Sequence, residues 1–163
     1  MGTIYFYYRS KEEIFAELQE EGLELLYTKI RQSHKDDALP KEKLKNSALA
    51  LLQFSEECKD YYDIIIYFLN APEILLSQEL KIKVDRHGGK IIAFVCRVVE
   101  EGIESGEFKK IHAKRFTIMF WGALQGLLHY KKMKTTLLQG EKFNSLFTYS
   151  IDHLIQSISN ESF

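Results

Sequence analysis

Apolar residues recur at helical spacing along almost the whole chain, and little interrupts them. Only two prolines, Pro40 and Pro72, punctuate the 163 residues, and strand-like alternation is scarce. Ser10 and Glu13 form a capping-box pattern, in which the serine side chain accepts a free backbone N–H and the glutamate reaches back to the cap. A helix therefore begins after Ser10. Ile14, Leu18, Leu25 and Leu26 continue an apolar stripe until His34, Lys35, Asp36 and Asp37 break it. Pro40 opens a second helix, where its missing N–H is not needed, and Leu44, Ala48, Leu51 and Leu52 mark its buried face. Asp60 can cap a third, aromatic-rich helix over residues 61–69, ended by Asn70, Ala71 and Pro72. A long fourth helix is predicted over residues 77–105, closed by Gly106 in a left-handed turn. Two more follow, over residues 113–132 and 141–159. The predicted fold class is all-α, a helical bundle.

Composition narrows the function classes. Hydrophobic residues make up 45% and charged residues 28%, the profile of an ordered globular domain. Lys and Arg number 22 against 23 Asp and Glu, a net charge of -1. A domain working alone on nucleic acid is clearly basic, so the bulk of the chain is not expected to be a DNA-contacting surface. Cys58 and Cys96 lie far apart without C-x-x-C spacing, which suits a reducing cytosol and predicts neither a disulfide framework nor a zinc site. No apolar signal segment with a basic flank opens the sequence. The longest apolar stretch, residues 116–130, contains Gln125 and His129 and falls short of the ~20 residues of a membrane span. The expected location is cytoplasmic, with no membrane partner.

Chemistry-bearing motifs are few. His34, His87, His112, His129 and His153 form no H-x-x-x-H or H-E-x-x-H pair, so no metal is expected. No phosphate-binding loop, dinucleotide fingerprint or nucleophile–base pattern is present, which predicts a non-enzyme without cofactors. Arg86, His87, Gly88, Gly89 and Lys90 suggest an anion-binding or oxyanion loop, but no G-x-S-x-G and no strand accompany them. Two glycines in a helical pattern cost about 1 kcal/mol each relative to alanine. A kink or a close helix contact would offset that cost, and a hinge is the alternative.

Two segments carry a family likeness. G-T-I-Y-F-Y-Y-R-S-K-E-E-I-F, residues 2–15, resembles the end of the DNA-binding helix-turn-helix of TetR-type transcriptional regulators, running into their long connecting helix. E-E-G-I-E-S-G-E-F, residues 100–108, resembles the loop between the long fourth segment and the dimerisation helices of that family. Helix order and lengths also fit. The resemblance implies a division into a remnant of the recognition helix, residues 1–9, and an effector-binding and dimerisation domain, residues 10–163, whose residues 10–33 are the connecting helix. It also implies roughly forty earlier residues of a three-helix reading head, against which the aromatics Tyr5, Phe6, Tyr7 and Tyr8 would pack. The chain thus resembles a regulator lacking most of that head.

Carried over by position, the resemblance makes Thr3, Tyr5, Tyr7 and Lys11 contacts to DNA phosphates. Gly2 would let the backbone approach the duplex. Hydroxyls and a lysine donate to phosphate oxygens and fix register without reading sequence. Phe6 and Tyr8 stand where Tyr and Phe are commoner, and Ile4 and Tyr8 also suit a core. An effector cavity is implied among the middle helices, with Tyr61, Tyr62, Tyr67, Phe68, Phe94, Phe116, Phe120 and Trp121 as candidate lining for an apolar small molecule. Taken singly, each of these aromatics is better read as core, and only as a set do they suggest an apolar effector. Gly122 and Gly126 share one helical face and permit close approach of another helix. Together with Leu124, Leu128, Phe143, Leu146, Phe147 and Leu154 they suit the family's four-helix dimer interface or, alternatively, internal packing. The implied function is a ligand-responsive regulator, usually a repressor, acting as a homodimer on operator DNA in the full-length protein. The alternative is a helical-bundle interaction or small-molecule-sequestering protein that does not bind DNA.

Overall fold

The computed structural model describes residues 10–70 and 77–160. Six α-helices follow one another: α1 (Lys11–Ser33), α2 (Pro40–Glu57), α3 (Lys59–Asn70), α4 (Gln78–Glu104), α5 (Ala113–Tyr130) and α6 (Phe143–Ile158), with a short π-helical turn, Lys134–Leu138, before the last. The ends have local causes. Ser10 Oγ accepts from Glu13 N at 3.2 Å and starts α1, with Glu12 and Glu13 favourably placed against the positive end of the helix dipole. Pro40 stands first in α2, and the Glu42 carboxylate accepts from Leu39 N at 3.1 Å. Ser77 Oγ accepts from Leu80 N at 3.3 Å and starts α4.

α1 packs against α2, α3 and α4; α4 also touches α2 and α5, and α6 lies on α2 and α5. Leu44, Leu51, Phe54, Val95, Val99, Phe120, Leu124, Phe147 and Ile151 are buried at the centre. The buried face of α1 is Ala16, Gln19, Gly22, Leu23, Leu26 and Ile30, while Ile14, Leu18 and Leu25 are only half-buried. The stripe counted by hydrophobicity is therefore rotated from the one that packs, because a glutamine and a glycine occupy the inner face.

The loop leaving α4 ties the far end of the bundle together. Gly106 has φ +78, the left-handed turn expected of it. Lys109 N donates to Ile158 O at 2.7 Å and Asn160 N to Glu107 O at 3.0 Å, pairing the loop with the end of α6. Phe108 is buried over Gly102, where an added Cβ would lie 2.1 Å from the ring. Glu107 is 2% exposed. Its Oε2 accepts from Lys41 N at 3.3 Å, and Oε1 lies 3.7 Å from Lys41 Nζ. A carboxylate thus occupies the N-terminal turn of α2, where the helix dipole favours negative charge. Among the described residues no helix is long and apolar enough to cross a membrane.

Candidate ligand-binding site

Four helices of the bundle leave a cavity of about 370 Å³ between them, within the ~300–1,000 Å³ typical of small-molecule sites. α1 contributes Gln19, Leu23 and Leu26; α3, Ile65 and Leu69; α4, Val84, Asp85, Gly88, Ile91 and Ile92; α5, Trp121 and Gln125. Helical spacing explains the convergence, since 19, 23 and 26 fall on one face of α1, as do 84, 88 and 91 on α4. The walls are mostly aliphatic. α4 continues through Gly88 and Gly89, and an added Cβ at either would meet no atom within 4 Å. Neither glycine makes the close helix contact expected of the pair. Gly88 instead stands beside the open volume of the cavity.

Gln19, Gln125, Asp85 and the indole N–H of Trp121 are the polar groups on this lining. Gln19 is 4% exposed, and its Oε1 has no hydrogen-bond partner. Gln125 Oε1 accepts from the Tyr62 hydroxyl at 3.3 Å. Burial pushes the Tyr62 pKa up to about 12. Asp85 is exposed. Glu20 Oε1, also secluded beneath the surface, is met by Lys83 Nζ at 3.0 Å.

Of the eight aromatics expected to line a cavity, Trp121 does so and Tyr62 stands one hydrogen bond away. The others lie elsewhere. The Tyr61 hydroxyl donates to Glu21 Oε2 at 2.9 Å. Tyr67 is exposed, and the Phe68 ring meets those of Phe15 and Tyr67 edge-on at 5.8 and 5.5 Å. Phe116 and Phe120 are buried and stacked on each other at 5.8 Å. Phe94 belongs to a separate polar cleft of about 300 Å³ with Arg31, His34, Lys43, Arg97 and Glu101. There its ring lies 5.0 Å from that of His34. Burial, then the Lys43 charge, pulls the His34 pKa below its ordinary value. Gln19, Leu23, Leu26 and the aliphatics of α4 escaped the sequence reading. A polar residue inside an apolar helical face is the signal that could have found Gln19.

The residues expected at a dimer interface separate by depth. Leu124, Leu128, Phe143 and Phe147 are buried within the chain's own core, and Leu146 and Leu154 are half-buried. Gly122 and Gly126 lie on an exposed face of α5 with nothing within 4 Å of an added Cβ. That face also carries Ile118, Met119 and Tyr130, all exposed. Of the expected DNA contacts, Gly2, Thr3, Tyr5 and Tyr7 lie outside the described residues, while Lys11 is exposed at the start of α1. Among the described residues no group of three or more His, Cys, Asp or Glu could hold a metal ion.

No family model and no curated protein matches the chain in sequence. Solved structures do match it. A protein of unknown function from Rhodococcus sp. RHA1 superposes with TM-score 0.79 at 15% identity, over 94% of this chain and 76% of that one. The TetR family transcriptional regulator PfmR from Thermus thermophilus gives 0.75 at 18%, over 94% and 79%. A Clostridium perfringens protein described as a regulator of fatty acid metabolism gives 0.75 at 21%, over 98% and 83%. At such identities the likeness is one of architecture: the chain has the all-helical fold on which TetR-family regulators are built.

Proposed function

We propose that the chain is the effector-binding and dimerisation unit of a ligand-responsive TetR-type transcriptional regulator, acting as a repressor. The observation that carries this reading is the aliphatic cavity between α1, α3, α4 and α5. α1 lines it through Gln19, Leu23 and Leu26, and the same helix begins at Lys11, next to the segment that resembles the family's DNA-contacting residues. On this reading Gly2, Thr3, Tyr5, Tyr7 and Lys11 face DNA phosphates. A ligand wedged against α1 and α4 favours one placement of that segment, and DNA favours the other. Each then weakens the other's binding by the same factor, commonly 1–3 kcal/mol of coupling. A structural neighbour described as a regulator of fatty acid metabolism accords with an aliphatic ligand. The exposed α5 face with Gly122 and Gly126 is the surface for a second copy of the chain.

Gly88→Leu tests the placement of the ligand. An added Cβ at Gly88 meets no atom within 4 Å, so the leucine should occupy cavity volume without displacing core. Leucine also favours the helix by about 1 kcal/mol over glycine, so the variant should melt no lower than wild type. Apolar compounds found by thermal shift should bind it more weakly by about tenfold or more, equivalent to ~1.4 kcal/mol. Hits that bind variant and wild type alike place the ligand elsewhere and overturn the reading.

A further inference from the structure

The polar cleft around Phe94 shares no residue with the apolar cavity and has no part in the reading above. Three stretches of chain build it. The end of α1 and the turn after it bring Arg31, His34, Lys35 and Asp36; α2 brings Lys43; α4 brings Phe94, Arg97 and Glu101. Four cations against two carboxylates leave two positive charges in excess, on a chain whose net charge is -1. The carboxylates do not engage the arginines. Glu101 lies one turn beyond Arg97 on α4, yet its Oε2 meets Lys43 Nζ at 3.1 Å. Among the described residues Arg31, Lys35 and Arg97 have no ion-pair partner. Arg31, in the last turn of α1, and Lys35 just beyond it suit the negative end of that helix dipole. Arg97 stands in the interior of α4, where no helix end accounts for it. We propose that this cleft is a second binding site, for a small molecule carrying two or more negative charges on phosphate or carboxylate oxygens, held by Arg31, Lys35 and Arg97.

The cleft is ordered as well as charged. The Phe94 ring is met edge-on by Tyr27 at 5.7 Å, and the His34 ring lies 5.0 Å from it at 31°. His34 is held in turn. The Ser47 hydroxyl donates to Lys43 O at 2.9 Å, so its oxygen accepts from His34 Nε2 at 2.8 Å. The Arg97 guanidinium lies 5.8 Å from the centre of the Phe94 ring, a cation–π contact that restrains it and suits its planar N–H fork to an oxyanion. Arg31, Lys35 and Arg97 are exposed, so each contact alone contributes little. Binding therefore needs several of them at once, and a ligand with one charge would leave half of the excess uncompensated. A space of about 300 Å³ suits a small molecule, whereas a duplex is met along a basic stripe or patch.

The test is a calorimetric titration of the full chain with pyrophosphate, citrate and acetate at neutral pH. About 0.15 M salt screens scattered surface charge. Pyrophosphate, citrate or both are expected to bind at one site per chain, at least about tenfold more tightly than acetate. Which of the two binds better tells a phosphate source from a carboxylate one. Arg31→Gln and Arg97→Gln change exposed side chains, so they should melt as wild type does and weaken the polyanion about tenfold or more. Arg86→Gln, at an exposed arginine of α4 outside the cleft, should leave binding unchanged. The His34 ring resonances should move with the calorimetric midpoint while those of His153 on α6 stay in place. Acetate binding as tightly, Arg86→Gln weakening binding as much as Arg97→Gln, or saturation without movement of His34 overturns the proposal. So does the failure of both polyanions to bind, including the case in which duplex DNA alone is bound through Arg31 and Arg97.

Discussion

Gly102 and Gly106 sit four residues apart at the end of α4 and are needed for different reasons. Gly106 turns the chain with φ +78, a conformation that an L side chain reaches at a cost of roughly 1–2 kcal/mol. Gly102 lets the Phe108 ring lie directly on the helix backbone, and Gly102→Ala would put a Cβ 2.1 Å from that ring. The ring would have to leave its buried place beside α6. The expected loss is about 1–3 kcal/mol, read as a lower urea midpoint with an unchanged slope. An alanine variant as stable as wild type would show that the ring has another place to go. The motif E-E-G-I-E-S-G-E-F made the turn legible from the residues, Gly106 included. The burial of Glu107 was not legible, since a loop carboxylate reads as solvated. It is buried because the N-terminal turn of α2, 66 residues earlier, supplies its Lys41 N–H donor.

At the scale of elements, the starts of α1, α2 and α4 were legible because they depend on neighbours in sequence: Ser10 with Glu13, Pro40, and the serine before α4. By contrast, α3 begins at Lys59 and takes Asp60, the expected cap, into its first turn. Which residues would line a cavity was not legible, because that depends on how four helices rotate against one another. Large aromatics attracted the sequence reading, yet Phe116 and Phe120 fill the core while smaller aliphatics bound the open volume. Depth on α5 follows the same logic. Phe116, Phe120, Leu124 and Leu128 point inward, leaving Ile118, Met119, Gly122, Gly126 and Tyr130 as an outer face rich in exposed apolar surface. Such patches on monomers commonly mark interaction sites. Wild type is therefore expected to sediment as a dimer at micromolar concentration. A Cβ added at Gly122 meets no atom within 4 Å, so Gly122→Leu should keep the melting behaviour of the monomer while weakening the dimer at least about tenfold by overfilling close helix packing. A monomeric wild type, or a variant dimer of unchanged strength, contradicts the placement of the partner on this face.

At the scale of the whole molecule, α1 joins the cavity to the segment that resembles a DNA-reading head, and α5 joins the same cavity to the outer face. Trp121 and Gln125 turn inward from α5, while Gly122 and Gly126 turn outward. On the proposed reading, occupancy of one cavity would bear both on α1 and on a copy of the chain seated against the α5 face. Both effects depend on a ligand entering that space, and the chain holds its own reporter. Trp121 is the single tryptophan among the 163 residues, and its ring lines the cavity. The most direct measurement is the emission of Trp121 during a titration with 1-decanol, followed in parallel by calorimetry. Burying the indole against hydrocarbon should shift its emission to the blue, with the same midpoint as the heat of binding. Calorimetric binding that leaves the Trp121 emission unchanged would contradict the account, because the ligand would then be somewhere other than between α1, α3, α4 and α5.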